Sequence, residues 1–422
     1  MAIPTQRQLE WADMEVGVII HCLMDVYNPD FTDIFSREVR THMPPSIFDP
    51  KHLDTDQWIA AAKAAGARYA VLVANHCTGF SLWPTDVNDY SVKSSPWKDG
   101  KGDIVADFIA SCKKYDIKPG LYYSTGANGY YGINDADCKL SPEEYRKYSI
   151  NVERQLTELW TRYGELFEIW FDGGIMPLEK GGPDCAGLLE RYQPNALCFQ
   201  GPRSHAHNLR WVGNELGLAP ENCWSATNRG EWAFDGTFDN EEAGVGDPDG
   251  RCWMPAETDM GNRRKDAFGG GWAWKAGEED KVYTTDELID CYCRSVGRNS
   301  NLLIGMAINS DGIFEDAAQF EAFGKRVSEL FGNAKASTEG EGERISLKLP
   351  DDACNYVVIR EDISRGHSVR GFRLLLDGRE IYESQCIGHK RIVPVPGLSG
   401  NELTLEITNC AGDVVIKELS VC

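Results

Sequence analysis

Two carboxylates stand where a barrel or sheet would do chemistry. Asp172 directly follows the apolar run Ile169-Trp170-Phe171 and precedes two glycines in "EIWFDGG"; Glu215 closes "RWVGNE". Two carboxylates from different strands are the set that glycoside hydrolysis needs: one attacks the anomeric carbon, the other protonates the leaving oxygen and then activates water. Each also has a structural alternative, Asp172 as a turn cap and Glu215 as a loop carboxylate paired to Arg210. The adjacent His76 and Cys77 in "YAVLVANHCTGFSLW" suggest a nucleophile and base, yet neighbours on a strand point to opposite faces, which argues against a dyad. Four imidazoles, His21, His76, His205 and His207, raise the possibility of a metal-dependent hydrolase. However, His205-Ala-His207 lies in a loop ahead of the sixth strand and no His-Glu-x-x-His occurs, so neither a metal nor another cofactor is expected.

These residues need elements to hold them. Eight strand-like runs follow one another: residues 16–21, 68–76, 117–124, 167–174, 196–201, 210–215, 252–259 and 301–309. Amphipathic helical patterns separate many of them, including residues 141–164, which open on a Ser141 cap, Pro142 and two glutamates. Near-continuous apolar strands feeding helices indicate a parallel sheet covered on its faces. Eight such units in residues 1–335 predict an α/β fold, a (β/α)8 barrel, and the absence of a Gly-rich phosphate loop after the first strand disfavours a doubly wound sheet. Strand ends then place His21, Asn75-His76, Tyr122, Asp172, Glu215 and Glu257 at the barrel mouth. From Gly332 to Glu343 the chain reads as a polar linker, and residues 336–422 read as a small C-terminal antiparallel β-sandwich, an accessory domain.

Bulk properties narrow the partners. A formal charge of −22 disfavours nucleic acid and anionic membranes. No run approaches eighteen apolar residues, so no transmembrane helix is expected. Fourteen cysteines without a Cys-x-x-Cys pair read as mostly free thiols of a reducing compartment. With no apolar signal region near the start, this favours the cytoplasm; the alternative is an exported protein whose signal has been removed.

Together "VGVIIH", "GFSLWPTDVNDYSVKSSPWKDGKGD", "GLYYS", "EIWFDGG", "RWVGNELG" and "SVGRNSNLLIGMAINSDG" closely resemble glycoside hydrolase family 29, the α-L-fucosidases. The likeness is strongest to the subgroup acting on α-1,3 and α-1,4 linked fucose, and it extends into "NYVVIREDISRGHSV" and "CIGHKRI". The resemblance implies an exo-acting, retaining enzyme on fucosylated glycans, with Asp172 as nucleophile and Glu215 as acid/base. It also implies sugar contacts from His21 and His76 and pocket positions for Tyr122, Trp170, Arg210, Glu257 and Trp272. Two departures stand out. Where the family reads Lys-His-His-Asp-Gly-Phe this chain reads Asn75-His76-Cys77-Thr78-Gly79-Phe80, placing a weakly hydrogen-bonding thiol at the second histidine. The Glu-Trp pair after the first strand is replaced by Glu38-Val39. Retained carboxylates point to an enzyme with altered preference; the altered triplet is what supports a non-catalytic or re-targeted sugar-binding protein instead.

Overall fold

The structure, a computed structural model, describes residues 1–28, 43–134, 140–228 and 244–422. Eight parallel strands close into a barrel: β1 (Val16–His21), β2 (Tyr69–Asn75), β3 (Lys118–Tyr123), β4 (Glu168–Trp170), β5 (Leu197–Phe199), β6 (Asn208–Trp211), β7 (Ala256–Met260) and β8 (Ser300–Ala307). Each pairs with its chain neighbours, and β8 returns to β1 with Val16 opposite Leu302 and His21 opposite Ala307.

The two-residue alternation of side chains sorts the strands into two cores. Ile19, Tyr69, Val71, Val73, Tyr122, Trp170, Phe199, Leu209 and Leu303 pack together inside the barrel. Their neighbours Val18, Ile20, Leu72, Leu121, Ile169, Cys198, Leu302 and Ile304 pack outward against the helices. Gly17 serves the inner core: a Cβ there would lie 2.3 Å from the Tyr69 ring, which occupies that space. At the N-terminal end the barrel is closed by α1 (Gln6–Ala12). Gln8 donates to the carbonyls of Asn208 (3.0 Å) and Trp253 (3.1 Å), and Trp11 joins the inner core.

Helices α2 (Thr55–Ala64), α3 (Ile104–Tyr115), α4 (Pro142–Arg162), α5 (Cys185–Tyr192), α6 (Thr285–Ser295) and α7 (Ala317–Phe331) cover the barrel. Their starts are chemically specified: Asp54 and Asp103 cap α2 and α3, and α4 and α6 begin with the capping boxes Ser141/Glu144 and Thr284/Glu287. No helix separates β5 from β6, where residues 200–207 alone make the connection.

After α7 the strands β9 (Ala336–Glu341), β10 (Arg344–Lys348), β11 (Cys354–Glu361), β12 (Val369–Leu376), β13 (Arg379–Ser384), β14 (Arg391–Leu398), β15 (Glu402–Cys410) and β16 (Val415–Val421) build two antiparallel sheets. Their orders are β9-β16-β11-β14 and β10-β15-β12-β13. Val357, Phe372, Leu374, Leu405 and Leu419 fill the space between them. The stretch expected to be a linker is in part the edge strand β9: its Ala-Ser-Thr-Glu-Gly-Glu sequence pairs with β16 while every second residue faces solvent. An edge strand exposed on one face carries little apolar signal, which is why its sequence reads as a linker. The described cysteines are all free thiols, most of them buried, and among the described residues no helix is long and apolar enough to cross a membrane.

Candidate active site

A cleft of about 450 Å³ opens at the C-terminal ends of the strands, lined by Ile19, His21, His76, Tyr122, Trp170, Asp172, Glu215, Asp259 and Trp272. One wall is a continuous aromatic stack built by the turn after β2 and by the adjacent strands β3, β4 and β5. His76 lies on Tyr122 (centroids 5.7 Å, 25° between planes), Tyr122 on Trp170 (5.3 Å, 18°) and Trp170 on Phe199 (3.9 Å, 4°). Each such contact contributes about 0.5–1.5 kcal/mol beyond buried area, which favours this stacked arrangement. It also holds the carboxylate: the Tyr122 hydroxyl donates to Asp172 Oδ2 at 2.8 Å. Asp172 lies just past β4 with Gly173 and Gly174 both at positive φ, so the chain turns sharply and leaves the carboxylate exposed in the cleft.

Next to this stack, His21 meets the edge of His76 (centroids 6.1 Å) and leads on to Trp272, with ring centroids 5.0 Å apart. Trp272 follows three glycines with φ of 61°, 68° and 89°; a Cβ on Gly271 would sit 2.1 Å from the Arg263 carbonyl. The indole rests over Gly305 of β8, where a Cβ would come within 3.0 Å of the ring. His21 is buried, its Nδ1 is 3.3 Å from the Ile19 carbonyl, and burial pulls its pKa down to about 4, against the opposing effect of that backbone contact. The ring is therefore neutral at physiological pH, and Nδ1–H donation to Ile19 leaves Nε2 as an acceptor.

Glu215 approaches from the loop after β6, half-exposed and 3.6 Å from the Lys265 ammonium. Beside it in the cleft lies Asp259, a buried carboxyl that accepts from Trp211 Nε1 at 2.7 Å. Burial raises the Asp259 pKa well above the carboxylate range; the Trp211 hydrogen bond opposes this, and the charges of Glu215 and Glu257 add to it. The cleft thus offers an exposed carboxylate on the tyrosine-braced wall, a second, half-exposed carboxylate at Glu215, imidazoles for hydroxyls and the Trp272 indole for an apolar ring edge.

Residues 25–325 match the family model described as alpha-L-fucosidase. The chain belongs to the α-L-fucosidase family of glycoside hydrolases. It is 35% identical over 342 residues to alpha-L-fucosidase 1 of Arabidopsis thaliana, covering 79% of this chain and 62% of that protein. A protein of Oryza sativa subsp. japonica, provisionally named alpha-L-fucosidase 1, is 32% identical over 474 aligned positions that cover 100% of this chain and 85% of its own. A Bacteroides thetaiotaomicron structure, provisionally called an alpha-L-fucosidase, superposes with a TM-score of 0.91 at 32% identity, covering 100% and 99% of the two chains.

Against this family background the expected site residues fall into two groups. His21, His76, Tyr122, Trp170, Asp172, Glu215 and Trp272 meet in the cleft, and Cys77 lies against it. Arg210 and Glu257 do not line it. The strand expected at 210–215 runs from 208 to 211, so Leu209 faces the inner core while Arg210 points outward, donating to the carbonyls of Gly244 (2.9 Å) and Trp224 (2.5 Å). The strand expected at 252–259 runs from 256 to 260, so Asp259 takes the mouth and Glu257 sits one layer deeper. There Glu257 accepts from Tyr69 (2.7 Å) and Trp170 Nε1 (3.0 Å), bracing the aromatic wall from below. Its buried neighbour Glu168 has a pKa raised well above normal, by burial first and by the Glu257 charge second, which favours its protonated form.

Asp259 is the cleft residue that strand-end reasoning overlooked, and its place two residues after Glu257 on the same strand face was the available signal. The opposed-faces expectation for His76 and Cys77 is also corrected. β2 ends at Asn75, and His76–Gly79 is a turn closed by Gly79 N–H to the His76 carbonyl (2.8 Å), with Gly79 at φ 84°. Their side chains converge. His205 and His207 hydrogen-bond Ala196 O (2.6 Å) and the Thr5 side chain (2.8 Å) near the α1 end of the barrel, away from the cleft. Glu38 and Val39 lie outside the described residues.

The sandwich secures the loop that carries Glu215. The buried Arg391 of β14 donates to the Glu221 carbonyl at 2.5 Å and pairs with the Glu221 carboxylate, which Arg298 reaches at 2.7 Å. Asn222 Oδ1 accepts from Ser384 Oγ (2.9 Å) and the Ser225 N–H donates to His367 Nε2 (2.9 Å). With Arg210 holding Trp224 from the barrel side, the segment following Glu215 is fixed from both sides.

His21 gives a stability test. Its folded pKa lies near 4 against about 6.5 unfolded, so between those values only the unfolded chain takes up the proton and stability falls on acidification. In urea unfolding, the gap between wild type and His21→Gln should move by about 2.5 kcal/mol in the variant's favour between pH 7 and 4.5. Parallel pH profiles for the two proteins would show that the imidazole is not buried neutral.

Proposed function

We propose that this chain is an exo-acting α-L-fucosidase that removes terminal α-1,3- or α-1,4-linked fucose from glycans by double displacement. Asp172 acts as nucleophile and Glu215 as general acid and then base. The observation that carries this reading is that the two carboxylates, from different strands, line one cleft with His21 and His76. Attack by Asp172 on the anomeric carbon breaks the glycosidic bond while Glu215 gives its proton to the departing oxygen. Glu215 then takes a proton from water as that water displaces Asp172. The Tyr122 hydroxyl steadies Asp172 in the attacking geometry and withdraws some of its charge. Fucose needs hydrogen bonds for three hydroxyls and an apolar surface for a methyl; the imidazoles supply the former and the Trp272 indole the latter. Residues 336–422 act as an accessory domain that holds the Glu215 loop in place.

A panel of aryl α-L-fucosides, branched α-1,3/1,4-fucosylated oligosaccharides and aryl α-L-galactosides tests this reading. The branched substrates should give the highest kcat/KM and the galactosides, which carry an extra hydroxyl on the methyl carbon, the lowest. Cys77→His should raise kcat/KM on simple aryl fucosides about tenfold by restoring a hydrogen bond of roughly 1–1.5 kcal/mol. Binding of the glycans with no turnover of any member would favour the sugar-binding alternative that Cys77 suggests.

A further inference from the structure

The convergence of His76 and Cys77 has a consequence for metal ions. One ring nitrogen of His76, Sγ of Cys77 and one carboxylate oxygen of Asp172 all lie within 4.8 Å of one another, and no other group of three such side chains occurs among the described residues. We propose that this triad is an inhibitory site for a zinc-type divalent cation, which closes the cleft by coordinating Asp172. This rests on the fucosidase reading only for its kinetic consequence, not for the binding itself.

The donor set is what selects the ion. Thiolate, imidazole and carboxylate together suit zinc, which takes three protein ligands and leaves a fourth position for water, whereas magnesium and calcium favour all-oxygen shells. Ligands around a tetrahedral zinc stand about 3.3–3.8 Å apart, so the observed spread asks for a closure of roughly 1 Å. Asp172 is exposed and His76 half-exposed, so rotation of their side chains provides it. The turn itself is already fixed: Asn75 Nδ2 donates to the Gly79 carbonyl (3.0 Å), and the Cys77 and Thr78 carbonyls accept from Gly129 (2.7 Å) and Tyr130 (3.1 Å). Two ligands are thus presented by adjacent residues on a pinned turn and the third by the neighbouring wall. Binding releases the thiol proton to solvent and forms Zn–S, Zn–N and Zn–O bonds with no change of oxidation state. A bound cation occupies the carboxylate that must attack the sugar, so it excludes substrate.

Chelator-treated full-length protein should be titrated with zinc chloride by calorimetry and with cobalt(II) by absorbance, where a sulfur-to-cobalt charge-transfer band reports thiolate ligation. One zinc per chain, a cobalt–thiolate band and no magnesium binding are expected. Cys77→Ser should lose the band and weaken zinc by roughly 100-fold or more, and Asp172→Asn should weaken zinc while keeping the band. Zinc should inhibit fucoside turnover competitively, with reversal by chelator. A cobalt–thiolate band that persists in Cys77→Ser, or zinc binding unchanged by it, would overturn the site. Zinc binding with no fucosidase activity would instead leave the site standing and remove the proposed function.

Discussion

Asp172→Ala should lower kcat on every fucoside by roughly ten-thousand-fold or more, the scale seen when a nucleophile is removed from an enzyme that acts through a covalent intermediate. The variant should fold normally, because Asp172 is exposed at the mouth and lies past the end of β4. Without the carboxylate the Tyr122 hydroxyl faces an opened space large enough for a small anion. Azide added to this variant should attack the substrate directly, restore part of the rate and give the β-configured fucosyl azide. Wild-type turnover in the variant would show that Asp172 has another role, such as capping its turn.

Glu215→Gln should have the second-largest effect, and its signature differs. A general acid/base contributes about 10²–10⁴-fold, most strongly when the leaving oxygen is a sugar alcohol that departs poorly without a proton. The variant should therefore lose kcat/KM on oligosaccharides while retaining much of it on fucosides of acidic phenols. On those phenols kcat should still fall, because water attack on the intermediate now lacks its base. Azide here attacks the covalent intermediate and should give the α-configured product, the opposite of that from Asp172→Ala. The same product configuration from both variants would mean that the two carboxylates do not divide the roles as described. The loop position of Glu215, clamped through residues 221–225 by Arg391, Ser384 and His367, makes a gross rearrangement on this isosteric change unexpected.

The barrel was legible in the sequence because strands buried on both faces read as apolar runs, and all eight are present. Strand ends were less legible, and the positions of several expected site residues shift with them. At β7 the strand runs from Ala256 to Met260, which puts Asp259 at the mouth and Glu257 one layer below, bonded to Tyr69 and Trp170. At β6 the strand ends at Trp211, which turns Arg210 outward to the loop carbonyls. At β2 the end at Asn75 replaces strand alternation with a turn, so Cys77 and His76 point the same way. Apolar content decides that a strand exists, whereas its last residue depends on hydrogen bonds made outside the strand, such as those from Asn75 to Gly79 and Ser81. The edge strand β9 and the grip of the sandwich on residues 221–225 were invisible for the same reason: they are made by contacts between segments far apart in the chain.

The most direct test is capture of the intermediate. Incubation with a 2-deoxy-2-fluoro-α-L-fucosyl donor bearing a good leaving group slows hydrolysis of the covalent species enough for mass spectrometry. One fluorofucosyl unit per chain, on the peptide containing "EIWFDGG" and mapped to Asp172, is the predicted result, with loss of activity in step with labelling. Labelling of a different residue, or turnover of the donor to a product of inverted configuration with no adduct, would contradict the account.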